Sequence, residues 1–188
     1  MIIPFLPDPV IKHNFESVYA PSDDSYLVID YFRRKINQDH FDGIPLNEIK
    51  NILDLGTGTG IIAIFFQLIK KKYPKFSPKI FASDISEDAI CCAKINEKLN
   101  KIDNEINFMQ SDLFTNFPEY LNHKFNIILF NPPYLPSLEL PKENSIKEKN
   151  FSSWDGGLKG FEILIKFLST AYSFLNLEKE HYIYSITS

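Results

Sequence analysis

The sequence predicts an α/β fold, a mostly parallel, doubly wound sheet with helices on both faces. Three observations carry that expectation. From residue 51 onward, short apolar runs alternate with longer segments whose apolar residues step by three and four, the pattern of strands followed by helices. A glycine-rich turn, Gly56-Thr57-Gly58-Thr59-Gly60, joins the first run to the first such segment. Asp54, Gly56, Gly58, Gly60, Asp84, Asp112 and Asn131 all fall at or just beyond the carboxyl end of a run, the edge at which parallel sheets bind ligands.

The elements follow in order. Residues 1 to about 18 carry Pro4, Pro7 and Pro9 and no clear period, so an extended arm is expected. Ser22 is placed to cap a helix whose first turn holds Asp23 and Asp24, acids suited to the positive end of the helix dipole. The helix runs to about residue 36, with Leu27, Val28, Tyr31 and Phe32 inward. The two acids serve equally well as first-turn residues or in a site for a cationic ligand. Residues 37 to 49, with Gly43 and Pro45, read as a connection. Residues 52 to 55 form the first strand of the core, and the glycine turn feeds a helix from 61 to about 72. A strand over 80 to 83 ends at Asp84, and Ser86, Glu87 and Asp88 open a helix to about 99. A third strand, 106 to 109, is followed by Asp112, and a fourth covers 125 to 130. Leu158, Phe161, Ile165, Leu168, Tyr172 and Leu175 make one apolar stripe on the last helix, and 181 to 187 form a fifth strand. The whole reads as a single domain, an arm and helix (1–49) before a core (50–188).

The fourth strand stops abruptly at Asn131-Pro132-Pro133-Tyr134. Two prolines hold the backbone extended with its carbonyls free, and the asparagine adds a carbonyl oxygen on a short arm. Together they form a clamp for a planar NH₂ group, the tyrosine ring stacking on its flat face. Such a nitrogen is a poor nucleophile, and orienting its lone pair with fixed dipoles lowers the barrier to attack. The same residues also serve simply to end a strand.

Composition narrows the classes. With 44% hydrophobic and 23% charged residues, the 188-residue chain has the make-up of an ordinary globular domain. No apolar run approaches the roughly 20 residues needed to span a bilayer, and no basic-then-apolar leader opens the chain, so a cytoplasmic or nuclear protein is expected. Cys91 and Cys92 are adjacent, against a disulfide between them, and the four histidines lack metal-ligand spacing, so no metal is expected. A net charge of −4 argues against a protein built to grip a nucleic-acid duplex; Lys70-Lys71-Lys72 and the lysines from 142 to 149 read as surface charge.

The glycine turn lacks the dinucleotide pattern G-x-G-x-x-G, because Ile61 stands where the third glycine belongs. Instead, D-x-G-x-G-x-G from Asp54 to Gly60, the strand-end acids Asp84 and Asp112, and the Asn-Pro-Pro-Tyr loop resemble the class I S-adenosylmethionine-dependent methyltransferases, with their Rossmann-like fold. Residues 18 to 25, Val-Tyr-Ala-Pro-Ser-Asp-Asp-Ser, resemble the segment preceding the core of HemK-like release-factor glutamine methyltransferases of the eukaryotic and archaeal branch. Ser153-Trp154-Asp155-Gly156-Gly157-Leu158-Lys159-Gly160 resembles the stretch that opens the helix after their catalytic loop. The resemblance covers nearly the whole chain.

What it implies is specific. The glycine turn (Gly56, Thr57, Gly58, Gly60, with Asp54 before it) would lie against the amino-acid part of S-adenosylmethionine. Asp84, with Ile85, would hold the ribose side, and Asp112, with Leu113, would read the adenine. Tyr19, Asp24 and Asn131 would line the cofactor pocket, Asp24 opposing the sulfonium charge. The catalytic set would be Asn131, Pro132, Pro133 and Tyr134, acting on a glutamine side-chain amide in the Gly-Gly-Gln loop of a translation release factor and leaving S-adenosylhomocysteine. Relatives work with a small zinc-binding activator subunit along the third-strand edge, so such a partner is expected here. Ala20 and Asp23 depart from the family's glutamates, which voids any contact carried to position 20. The sequence stops just after the fifth strand, where the family continues into a helix and an antiparallel strand pair, so that pair is expected to be absent. The competing readings are a nucleic-acid adenine N6-methyltransferase with the same clamp, and a non-catalytic subunit with a cofactor fold.

Overall fold

The computed structural model describes residues 6–13, 15–133 and 161–186. Its centre is a five-stranded, wholly parallel sheet in the order β5-β4-β3-β6-β7. The strands are β3 (Asn51–Leu55), β4 (Lys79–Asp84), β5 (Ile106–Gln110), β6 (Ile127–Phe130) and β7 (Tyr182–Ser185), preceded by a two-stranded hairpin of β1 (His40–Phe41) and β2 (Ile44–Pro45). The helices are α1 (Asp23–Lys35), α2 (Ile61–Lys72), α3 (Glu87–Leu99) and α4 (Glu162–Ala171). The order reverses between β3 and β6, which places the ends of those two strands side by side at the switch point.

Every residue of β6 is buried, as a central strand covered on both faces requires. Alternate side chains go to opposite faces. Ile52, Ile80, Ala82, Ile127 and Leu129 join α1 and α2 in one core, where Phe32, Phe41, Phe66 and Phe76 are fully buried. Leu53, Leu55, Phe81, Ile128 and Phe130 join Phe114, Phe167 and Phe174 in the other. Each fully buried phenylalanine contributes on the order of 2 kcal/mol. Residues 6–13 of the expected arm hold no helix or strand and lie against α3: Val10 and Lys12 donate their backbone N–H groups to Asn100 Oδ1 (2.9 Å) and Asn96 Oδ1 (2.8 Å).

Three expectations need correction. On α1 the inward residues are Val28, Ile29 and Phe32; Leu27 is 64% exposed and Tyr31 lies at the rim, its hydroxyl donating to Asp42. Steps of three and four from Ser25 define that stripe, and Leu27 falls off it. On α4 the expected stripe of Phe161, Ile165, Leu168 and Tyr172 faces solvent, while Phe167 and Ala171 pack inward against Phe114 and Phe130. The helix is apolar around most of its circumference, so period alone does not choose a face. Leu158 lies outside the described residues, and Leu175 is buried as expected. The connection 37 to 49 holds the β1–β2 hairpin, turned by Asp42 and Gly43 at positive φ, with Phe41, Ile44, Leu46 and Ile49 in the core. Asp-Gly between apolar residues was its signal.

Candidate active site

The carboxyl ends of β3, β4 and β6, with the start of α1, bring most of the expected residues together. Asp54 is buried beneath the glycine turn. Its Oδ2 accepts from the Thr57 hydroxyl (2.6 Å) and from the Ala63 N–H in the first turn of α2 (3.2 Å). Burial pushes its carboxyl up to about 7; the bonds from Thr57 and Ala63 oppose this, and the nearby Asp84 charge adds to it.

Asp84 closes β4 and ties the same turn from the other side. Its Oδ2 accepts from the Gly58 N–H and its Oδ1 from the Ser86 N–H, both at 2.9 Å; burial pushes this carboxyl up as well, against those bonds. Thr57 N–H donates to Ser83 O at 2.9 Å. The turn is therefore fixed by two strand ends before any ligand arrives. Gly58 adopts φ +54, and a β-carbon there would meet nothing within 4 Å. The backbone is bare toward open space at the start of a helix, which suits a closely approaching ligand.

Ser86 caps α3 as expected, its Oγ accepting from Ala89 N–H. Ser22 stands at the N-cap of α1, but its side chain does not cap the helix. It donates instead to Asp24 Oδ1 (2.6 Å), which also accepts from Ser25 N–H (2.6 Å) and the Ser25 hydroxyl (3.3 Å). Asp24 Oδ2 accepts from Asn131 Nδ2 at 2.9 Å. Burial pushes the Asp24 carboxyl up, but the bonds from Asn131, Ser22 and Ser25 outweigh it and hold it below its usual value. Asn131 Oδ1 is buried and, among the described residues, has no hydrogen-bond partner. Pro132 is buried beside it and Pro133 is half-buried; Tyr134 lies outside the described residues, as do Trp154, Gly156 and Gly157.

The other expected residues are more exposed than this cluster. Asp112 is half-exposed and pairs with Lys166 of α4 at 2.9 Å, and Leu113 follows at φ +48. Ile85 and Tyr19 are more than half exposed. Ser22, Ser25 and Lys166 are partners that the sequence reading missed. The Ser-x-Asp-Ser run held a signal for the two serines, whereas nothing local marks Lys166. Among the described residues, no group of acids, histidines and cysteines could hold a metal, and no helix is long and apolar enough to cross a membrane.

Comparisons with known proteins show the family. Residues 40–146 match the methyltransferase small domain family. A Methanocaldococcus jannaschii protein provisionally named a protein N5-glutamine methyltransferase is 40% identical over 153 residues, covering 80% of this chain and 63% of its own. The catalytic subunit mtq2 of the Schizosaccharomyces pombe eRF1 methyltransferase is 28% identical over 184 residues, 92% of this chain and 74% of its own. The chain thus spans less than two thirds of the archaeal relative. In fold it is similar to PKMT2 of Rickettsia typhi, with a TM-score of 0.50 and 21% identity over 86% of this chain and 26% of that one.

Proposed function

The chain belongs to the methyltransferase small domain family, and from that premise we propose that it methylates the side-chain amide nitrogen of a glutamine, in the Gly-Gly-Gln loop of a translation release factor. The observation that carries the reading is the Asn131 amide. Its Oδ1 is buried without a partner among the described residues, at the switch point of the sheet, while its Nδ2 is already engaged. A buried acceptor in that state calls for a donor such as a substrate N–H.

S-adenosylmethionine is the methyl donor in this reading, and the donor set fits it: a bare Gly58 backbone, two carboxyls that burial leaves short of counter-charge at Asp54 and Asp84, and an apolar Ile85 presented to solvent. Asp54, Thr57 and Gly56 to Gly60 would hold its amino-acid end, Asp84 and Ile85 its ribose side, and Asp112 and Leu113 its adenine. When bound it supplies an electrophilic methyl carbon on a sulfonium and leaves as the neutral thioether.

The chain's own residues do the rest. Asn131 Oδ1 accepts one N–H of the glutamine amide and the Pro132 carbonyl the other, which fixes the nitrogen and raises its electron density. The stacking on the amide plane expected of Tyr134 falls on a residue outside those described. As the N–C bond forms, positive charge on nitrogen is stabilised by the same two acceptors, and one proton then passes to water. No strong general base is needed for that loss.

The name of the fission-yeast relative, a catalytic subunit, supports a partner for this chain as well. β5 is an edge strand, with Phe108 and Met109 only partly covered. A small zinc-binding activator pairing there would complete the sheet. The reading places the protein in the cytoplasm, where release factors act.

The test uses radiolabelled S-adenosylmethionine with a purified release factor and, separately, with adenine-containing single-stranded DNA. Label on the loop glutamine, lost in Asn131→Ala, is expected. Label on adenine would replace this reading with the nucleic-acid one. Donor binding without label on either would point to the non-catalytic one.

A further inference from the structure

Within the reading above, we infer that Asp24 is a positioning residue, which sets the direction of the Asn131 amide and so makes the site select a hydrogen-bond donor. A primary amide has an acceptor end and a donor end of almost the same shape, and turning it over about its bond to Cβ reverses the polarity it shows to a ligand. Nothing in an Asn-Pro-Pro run decides between the two orientations.

The structure supplies the deciding group. An ionised carboxylate only accepts, so the atom 2.9 Å from Asp24 Oδ2 is Nδ2 with its hydrogen. The amide is planar, and Oδ1 is thereby turned toward the one direction left to it, where it is buried and, among the described residues, unpartnered. The carboxylate is itself held: its second oxygen takes the Ser22 hydroxyl, the Ser25 N–H and the Ser25 hydroxyl, so it does not rotate away. Those bonds also keep it ionised, because they outweigh its burial. With the amide reversed, two N–H groups of Asn131 would oppose the two N–H groups of a substrate amide. Asp24 thus excludes an orientation that repels the substrate, and it does so without touching the reacting atoms.

The experiment compares the full chain with Asp24→Asn and Asp24→Glu, using three readouts. The first is the side-chain amide signal of Asn131 in ¹⁵N spectra, assigned by its loss in Asn131→Ala. The second is the affinity for S-adenosylmethionine, and the third is kcat on a purified release factor at saturating donor. In Asp24→Asn the Asn131 signal should move or split. There kcat at saturating donor should fall by on the order of a hundredfold, whatever the change in donor affinity. Asp24→Glu keeps an acceptor-only carboxylate and should recover part of kcat.

An unmoved Asn131 signal would overturn the inference. So would an unchanged kcat, or a loss confined to donor affinity, which would make Asp24 a cofactor contact only. If the wild type does not methylate the release factor, the glutamine reading fails, and the Asn131 signal alone decides the positioning role.

Discussion

Gly60 and Ala93 pack backbone against side chain: a β-carbon built on Gly60 would lie 2.8 Å from the Ala93 Cβ and 3.1 Å from its Cα. Gly60 is also the N-cap of α2, at φ +82. The position therefore needs glycine twice over, for the left-handed backbone and for the close approach of α3.

Gly60→Ala should accordingly destabilise the fold by about 2–5 kcal/mol, the sum of backbone strain and overpacking. Urea denaturation would show it as a lower midpoint with an unchanged slope. An unaltered midpoint would mean that α3 moves away at no cost.

Asp54 should give stability an unusual pH dependence. Its folded pKa, about 7, lies above its unfolded value of 3.8, so the folded state keeps a proton that the unfolded state has lost. Its contribution is most favourable below the unfolded pKa and falls as pH rises toward about 7, by a few kcal/mol in all. Asp84, also pushed up by burial, adds in the same direction. Denaturation at about pH 5 and about pH 8 should show a smaller loss in Asp54→Asn than in the wild type. Equal losses would place the titration elsewhere.

Asp42 joins three elements, accepting from Tyr31 and Tyr184 at 2.7 Å each and pairing with Lys35 at 3.0 Å. Asp42→Ala leaves both hydroxyls without this acceptor and should cost about 1–3 kcal/mol. Hydrogen exchange in β7 should quicken if the Tyr184 link matters; unchanged exchange there would confine the effect to α1 and the hairpin.

Glu97 is buried, and its Oε1 accepts from the N–H groups of Glu105 and Ile106, both at 2.9 Å, where β5 begins. Glu97→Ala should leave those donors unpaired, at a cost of about 1–3 kcal/mol. Amide exchange at Ile106 should rise more than at Ile80, its neighbour in β4. Matched rises would indicate global loosening rather than a frayed edge.

Much of this architecture was legible from residue 51 onward, because strand and helix periods differ and the glycine turn punctuates them. The helix bounds 61–72 and 87–99 follow from apolar period and from Ser86 as a cap. What stayed illegible depends on contacts between distant segments. α4 presents two apolar faces, and only Phe114 and Phe130 decide that Phe167 turns inward. Asp24 and Asn131 are 107 positions apart, and each has an adequate local explanation, as a first-turn acid and as a strand terminator. Asp112 follows its strand as expected, yet its partner Lys166 comes from α4, 54 positions later.

One side chain described with the N-terminal arm does more than hold it. Asn96 accepts from Lys12 through Oδ1 and donates through Nδ2 to the Thr59 carbonyl at 3.0 Å, with both ends of a single rigid amide committed. The arm and the glycine turn are therefore mechanically coupled. Rotating the amide to free one breaks its hold on the other, so cleaving the arm with a protease would soften the turn, and stiffening the turn would slow the cut.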